Sequence, residues 1–214
     1  MKRILLFIGL VVAFLSTQAQ DNTAYTEAMQ AQLVLLDSAH SSDDLQAVIN
    51  TMERIAQVET AQWHPRYYLA YASLHQNFYF KESAERAKYL DKAQAYLDKA
   101  LVDFPQHSEL LALQGFVWMI RVSLDPATYG QLYAGKTMEI LQKAKALNPN
   151  NPRAAFLLGQ MSYGTAQFFG QSTEQACALV SQAVSLYETA TPTDSLAPKW
   201  GKKGALSMQE KCGL

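Results

Sequence analysis

The sequence predicts an all-α protein: a helical-repeat solenoid of about four helix hairpins, closed by a C-terminal capping helix. Three observations carry this expectation. Apolar residues recur at i, i+3, i+4 spacing along most of the chain, and no segment sustains the period-2 alternation of a strand. Pro65, Pro105, Pro149 and Pro192 stand 40, 44 and 43 residues apart, each behind an amphipathic stretch that proline ends or follows. Finally, Ala93-x3-Leu97-x2-Ala100-x4-Pro105 has the spacing of Thr137-x3-Leu141-x2-Ala144-x4-Pro149. The recurrence near 40 residues is therefore one of pattern as well as length, the mark of a repeat array. Composition agrees. The 214 residues are 49% hydrophobic and 17% charged, with a formal net charge of −1. That is enough apolar material for a core, and it offers no broad basic surface for nucleic acid. Two cysteines exclude a disulfide-dense miniprotein and a four-cysteine zinc site.

Taken in order, residues 1–19 read as a secretory signal. Lys2 and Arg3 form a basic start, Ile4 to Leu15 is an uncharged apolar run of 12 residues, and Thr17-Gln18-Ala19 offers a cleavage site. Twelve residues span roughly 18 Å as a helix, short of the ~30 Å hydrocarbon core, so cleavage rather than stable membrane insertion is expected. Residues 20–214 are then a single exported domain, in the periplasm or secreted. Its first hairpin, near 23–60, carries Leu45, Val48, Ile49, Met52, Ile55 and Ala56 behind Ser42-Asp43-Asp44, which supply an N-cap and first-turn acids. The second, near 65–103, has Tyr68, Tyr71 and Ala72 in its first helix and Ala93, Leu97, Ala100 and Leu101 in its second. The third, near 107–147, pairs Leu111, Gly115 and Trp118 with Ile140, Leu141, Ala144 and Leu147. The fourth, near 152–190, pairs Leu158, Gly159 and Tyr163 with Ala176, Leu179, Val180, Ala183 and Leu186. A cap near 198–211 sets Trp200, Leu206 and Met208 against a polar face of Lys199, Lys202, Lys203, Gln209, Glu210 and Lys211, as an exposed solenoid end requires.

Leu157-Leu158-Gly159 and Ala144-x-Ala146-Leu147-Asn148-Pro149 carry a family resemblance: the array resembles tetratricopeptide repeats, closely over 65–190 and more distantly over 23–60. Asp125-Pro126-x-Thr128-Tyr129-Gly130, Ala166-x-Phe168-Phe169-Gly170 and Pro198-x-Trp200-Gly201 further resemble exported repeat proteins of Bacteroidota. The repeats are longer than the family's 34 residues. Ala72 to Ala93 spans 21 residues and Gly115 to Thr137 spans 22, where the standard repeat needs about 12. The surplus falls between the two helices of a hairpin, and it is expected to emerge as insertions along one edge.

No constellation points to catalysis, so the expectation is a protein that is not an enzyme and needs no cofactor or metal. Gly130-Gln131-Leu132-Tyr133-Ala134-Gly135-Lys136-Thr137 satisfies the phosphate-loop pattern G-x4-G-K-[ST]. It lacks the preceding strand that the chemistry requires and reads instead as a helix with two glycines. His40, His64, His75 and His107 have no i, i+4 partners for zinc; His64 and His107, beside prolines, are expected at polar surface turns. The aromatic run Tyr67, Tyr68, Tyr71, Phe78, Tyr79, Phe80 reads as packing in preference to a ligand platform. Cys177 and Cys212 invite a disulfide in an exported chain, with two separate buried thiols as the alternative.

The family resemblance implies a non-catalytic module whose concave face binds a protein or peptide, with no nucleic acid and no membrane as partner. In that family the first helix of each hairpin lines the groove. Carried over through Ala72, Gly115 and Gly159, this nominates Arg66, Leu69, Ser73 and Gln76, then Glu109, Ala112, Phe116 and Met119, then Arg153, Phe156, Gln160 and Tyr163. Arg66 and Arg153 would suit a carboxylate. A small-ligand binder or enzyme using Tyr129, Phe168 and Phe169 on the inserted edge is the alternative, and a structural subunit of an envelope complex is another.

Overall fold

The structure is a computed structural model and describes residues 23–192 and 194–214; the expected signal at 1–19 lies outside them. Nine α-helices and no strand occur among the described residues. The first, α1, occupies 23–37. Then come α2 (Ser42–Val58), α3 (His64–Gln76), α4 (Ser83–Asp103), α5 (Ser108–Leu124), α6 (Pro126–Leu147), α7 (Pro152–Phe168), α8 (Glu174–Thr189) and α9 (Lys202–Lys211). Packing is strongest within the pairs α3–α4, α5–α6 and α7–α8, and consecutive pairs stack through α2–α3, α4–α5 and α6–α7. This is the all-α hairpin solenoid that the periodicity predicts.

Local chemistry sets the helix starts. The Ser41 hydroxyl accepts from the Asp44 amide at 3.0 Å, and the Asp44 carboxylate accepts from the His40 amide at 3.0 Å. These reciprocal bonds satisfy donors that a helix start leaves open. Before α7, the buried Asn151 side chain accepts from the amides of Arg153 and Ala154 and donates to the Ser108 hydroxyl, which donates to the Ala144 carbonyl at 2.7 Å. One cap thus ties α7 to both helices of the preceding hairpin.

Small residues set helix spacing inside the hairpins. A Cβ on Gly159 would stand 2.9 Å from Val180 Cγ2 and 3.1 Å from the Val180 backbone nitrogen, and one on Gly115 would stand 2.5 Å from Leu141 Cδ2. Glycine is what lets α7 approach α8, and α5 approach α6. The buried apolar residues form two clusters. One draws on α1 to α5 and the other on α5 to α9, and Trp200 packs against both.

Two expectations about organisation need correction. The surplus residues form connections only in part: residues 77–82 and 169–173 join the helices of the second and fourth hairpins, but the rest lengthens the second helices, so α4 has 21 residues and α6 has 22. The α5–α6 connection is Asp125 alone: its carboxylate caps the Thr128 amide, and Pro126 opens α6 without an amide to satisfy. Tyr129 and the whole phosphate-loop match therefore lie within α6, with Thr137 fully buried. The second correction concerns the cap. Helix α9 starts at Lys202, not near 198, because Pro198 and then Gly201, at φ +105°, stop the chain from continuing as a helix.

Cys177 on α8 and Cys212 at the end of α9 are joined by a disulfide, with Cα atoms 5.7 Å apart. The bridge pins the far end of α9 to the first turn of α8 and so closes the stretch between the two helices into a loop. Asp194 shapes it by accepting the Leu196 amide at 2.8 Å.

Candidate functional site

The first helices α3, α5 and α7 line one face of the solenoid, and the segment Asp194–Trp200 lies across it. Leu196, Ala197 and Pro198 are buried there. Tyr68 on α3 donates from its hydroxyl to the Leu196 carbonyl at 2.8 Å. The Trp200 indole N–H donates to the Tyr67 hydroxyl at 2.7 Å. Its ring stacks on Tyr71 at 5.5 Å and 23°, and on Phe116 of α5 at 5.4 Å and 24°. The Trp200 carbonyl accepts from Tyr187 of α8 at 3.3 Å and from Arg153 of α7 at 3.5 Å. Flat aromatic walls, a hydroxyl acceptor and two donors to one oxygen therefore converge on a single indole. One turn past Tyr71, His75 lies 4.2 Å from the Tyr71 ring and 5.7 Å from Phe78, extending the aromatic wall toward the exposed Phe78.

A buried ion pair anchors this face. Arg153 donates to both carboxylate oxygens of Glu109, at 2.7 and 2.6 Å, with both side chains largely buried. Burial disfavours the Arg153 charge, but the Glu109 hydrogen bonds and charge outweigh it and hold the guanidinium firmly protonated. The fork–fork geometry and the burial make this the kind of pair in which losing one partner strands a charge. Burial pushes the hydroxyls of Tyr67, Tyr68, Tyr71 and Tyr187 well above their usual range, so they act as neutral donors and acceptors. Burial also pushes His75 down to about 4, leaving a neutral imidazole with a free lone pair at physiological pH. Lys199, Lys202 and Lys203, which flank Trp200 in the chain, are exposed.

The nominated residues divide by helix. Arg66, Leu69, Ser73 and Gln76 turn to the other side of α3. Arg66 pairs with Asp103 of α4 and lies over Phe104. With Leu69 it lines a cleft of about 310 Å³ between α2 and α4. Ser73 is buried, and Gln76 donates to the Ser42 carbonyl at 3.1 Å. The register carried over through Ala72 selected the stripe that faces the second helices; the stripe that meets Leu196 and Trp200 is Tyr67, Tyr68 and Tyr71, with His75 one turn beyond. On α5 and α7 the same register comes closer. Glu109, Phe116 and Arg153 meet at Trp200, Phe156 packs beneath α9 at Gly204, and Ala112 is fully buried in the second core. Met119 and Tyr163 pack partly buried against that core, and Gln160 is exposed. Arg153, nominated for an external carboxylate, already holds Glu109.

The histidines beside the prolines also need correction. His64 is buried, stacked on Trp63 at 4.1 Å, with its two ring nitrogens 3.4 Å from the Tyr25 hydroxyl and 3.2 Å from Asp194. His107 lies tilted against Trp63, with ring centroids 4.1 Å apart, and burial, then the His64 charge, pushes it down to about 4. His64 is interior because Trp63 and Tyr25 of α1 close over it, whereas His107 is half-buried against Trp63. Among the described residues no three His, Cys, Asp or Glu side chains gather as a metal site, and no helix is long and apolar enough to cross a membrane. Sequence reasoning passed over Tyr187, Leu196 and the role of Trp200. The signal available was Leu196-Ala197-Pro198-x-Trp200, an apolar run with no helical register.

No protein-family model and no curated protein matches the chain. Solved structures do. The HusA haemophore from Porphyromonas gingivalis is 30% identical, with a TM-score of 0.77 over 89% of this chain and 93% of that one. A thermophilic tetratricopeptide-repeat protein of Thermus thermophilus is 14% identical, with a TM-score of 0.59 over 77% of this chain and 75% of that one; it shares the fold.

Proposed function

The chain belongs to the family of the HusA haemophore, a tetratricopeptide-like family with a member in Bacteroidota, and from that premise we propose that it is a non-catalytic carrier. It works outside the cytoplasm and holds a haem-type flat ring on the face built from α3, α5 and α7. The observation that supports this reading is the stacking of the Trp200 ring on Tyr71 and Phe116, at 5.5 and 5.4 Å: the face accepts a planar π system. Haem also asks for an iron donor and for cations near its carboxylates. His75 is a neutral imidazole at the edge of the same wall, and the exposed Lys199, Lys202 and Lys203 flank Trp200 along the chain.

The test is a titration of the oxidised protein with hemin, followed in the Soret band. A saturable spectral change at micromolar hemin is expected, weakened at least about tenfold in a Phe116→Ala protein through lost stacking area. Absence of any saturable change in the folded wild type would refute the carrier reading. A second reading has its own support. The face already holds an extended segment by hydrogen bonds to the carbonyls of Leu196 and Trp200, so it also suits a peptide with an aromatic side chain, and a labelled peptide of that type is the competing probe.

A further inference from the structure

The slot filled by Trp200 has the inventory of a ligand subsite, and its present occupant is the chain itself. We infer that this slot is the subsite for the flat ring of a carboxylate-bearing aromatic ligand, and that Asp194–Trp200 is a built-in competitor that fills it in the free protein. This rests on the carrier reading and says where the ring goes and what it must displace.

The contacts of the segment are those of a guest. Residues 198–200 belong to no helix, and the side chains of α3, α7 and α8 reach the segment one by one rather than through a ladder of backbone bonds. The helix pairs α3–α4, α5–α6 and α7–α8 pack directly on one another, so lifting Trp200 leaves the solenoid assembled. The geometry of the ends permits lifting. Helix α8 stops at Thr189, the Cys177–Cys212 disulfide pins the far end of α9 to α8, and Gly201, at φ +105°, joins segment to helix. The loop can rise and return while α9 stays docked.

What the segment vacates defines the ligand. Tyr71 and Phe116 become free stacking walls, and His75 extends the wall one turn beyond the reach of an indole. Arg153 Nη1 and the Tyr187 hydroxyl, released from the Trp200 carbonyl, become donors for a carboxylate beside the ring. A ring larger than indole, carrying carboxylate arms, gains more wall than the segment surrenders. Self-occupation lowers the apparent affinity by the fraction of protein that is closed.

The experiment uses hydrogen exchange with mass spectrometry on the oxidised, full-length protein with and without hemin, alongside hemin titration of Trp200→Ala and Trp200→Phe proteins checked for helicity. If hemin binds and the amides of Leu196, Ala197, Lys199 and Trp200 lose protection while α3 and α5 gain it, the inference holds. It also holds if Trp200→Ala, or Trp200→Phe should the alanine protein not fold, binds about tenfold or more tightly than wild type. Hemin bound with the segment's protection kept or increased, and no gain in affinity from either variant, overturns the inference and leaves the carrier reading standing. Hemin bound by neither wild type nor variants overturns both.

Discussion

Replacing Gly159 by alanine tests whether hairpin spacing rests on the small residue. Alanine in a helix interior is favoured over glycine by about 1 kcal/mol, so an unconstrained site would gain. At Gly159 the added Cβ would lie 2.9 Å from Val180 Cγ2, 3.1 Å from the Val180 nitrogen and 3.2 Å from the Ala176 carbonyl oxygen. Two of those three atoms are α8 backbone and cannot rotate away, so α7 and α8 must part by a few tenths of an ångström. The neighbouring Cys177 is held by its disulfide, which restricts that shift. Overpacking of this kind costs about 1–3 kcal/mol, which the propensity gain of about 1 kcal/mol reduces to a net loss of roughly 0–2 kcal/mol. Gly164, on the same helix with nothing within 4 Å of its would-be Cβ, is the control, and alanine there should stabilise by up to about 1 kcal/mol. For a chain of this size a difference of about 1–3 kcal/mol separates the two melting temperatures by roughly 2–12 °C. Thermal and urea unfolding of the three proteins decides it. A Gly159→Ala protein as stable as Gly164→Ala would refute the close-approach argument and the repeat register built on it.

The disulfide closes a loop with a sequence separation of 35, for which chain entropy gives about 3–4 kcal/mol; Cys212→Ser should lower urea stability by about that much, with α9 amides losing protection before those of α5 and α7. Acid should weaken the fold through its neutral histidines. His75 and His107 sit near 4 in the folded protein against the usual 6.5, so the unfolded chain takes up protons first. Stability is therefore full above pH 6.5 and falls as pH drops toward 4, by of order 1–3 kcal/mol for His75 and by less for the half-buried His107, whose charge solvent screens. Urea midpoints at neutral and mildly acidic pH, flattened by His107→Gln, measure this; a midpoint unchanged by pH in the wild type would refute it.

Much of the architecture was legible in the residues. The spacing of Ala93, Leu97 and Ala100, repeated at Thr137, Leu141 and Ala144, announces helices that touch along a small-residue seam, and all six are buried. Proline and asparagine mark the helix ends because capping is local chemistry, written within four residues of where it acts. The relation of Cys177 to Cys212 was visible as a possibility for the same reason: α8 and the cap are neighbours in the chain, and α9 docks on α8. Other features depend on distances the sequence does not carry. Helix α3 is apolar or aromatic nearly all round, with Tyr67, Tyr68, Leu69, Ala70, Ala72 and Leu74 all buried, so periodicity cannot say which stripe faces α2 and α4 and which meets Trp200. The length of α6 followed from a cap at Asp125 strong enough to start the helix at once, leaving no loop for the surplus residues. His64 reads as a turn residue until Tyr25, 39 positions before it, and Asp194, 130 positions after it, are brought against its ring. The position of Leu196 and Trp200 is the clearest case. A segment without helical period states only that it is apolar, and where it comes to rest is set by which surface the assembled helices leave uncovered. Here that surface is the aromatic face of α3 and α5, which exists only after five helices have stacked.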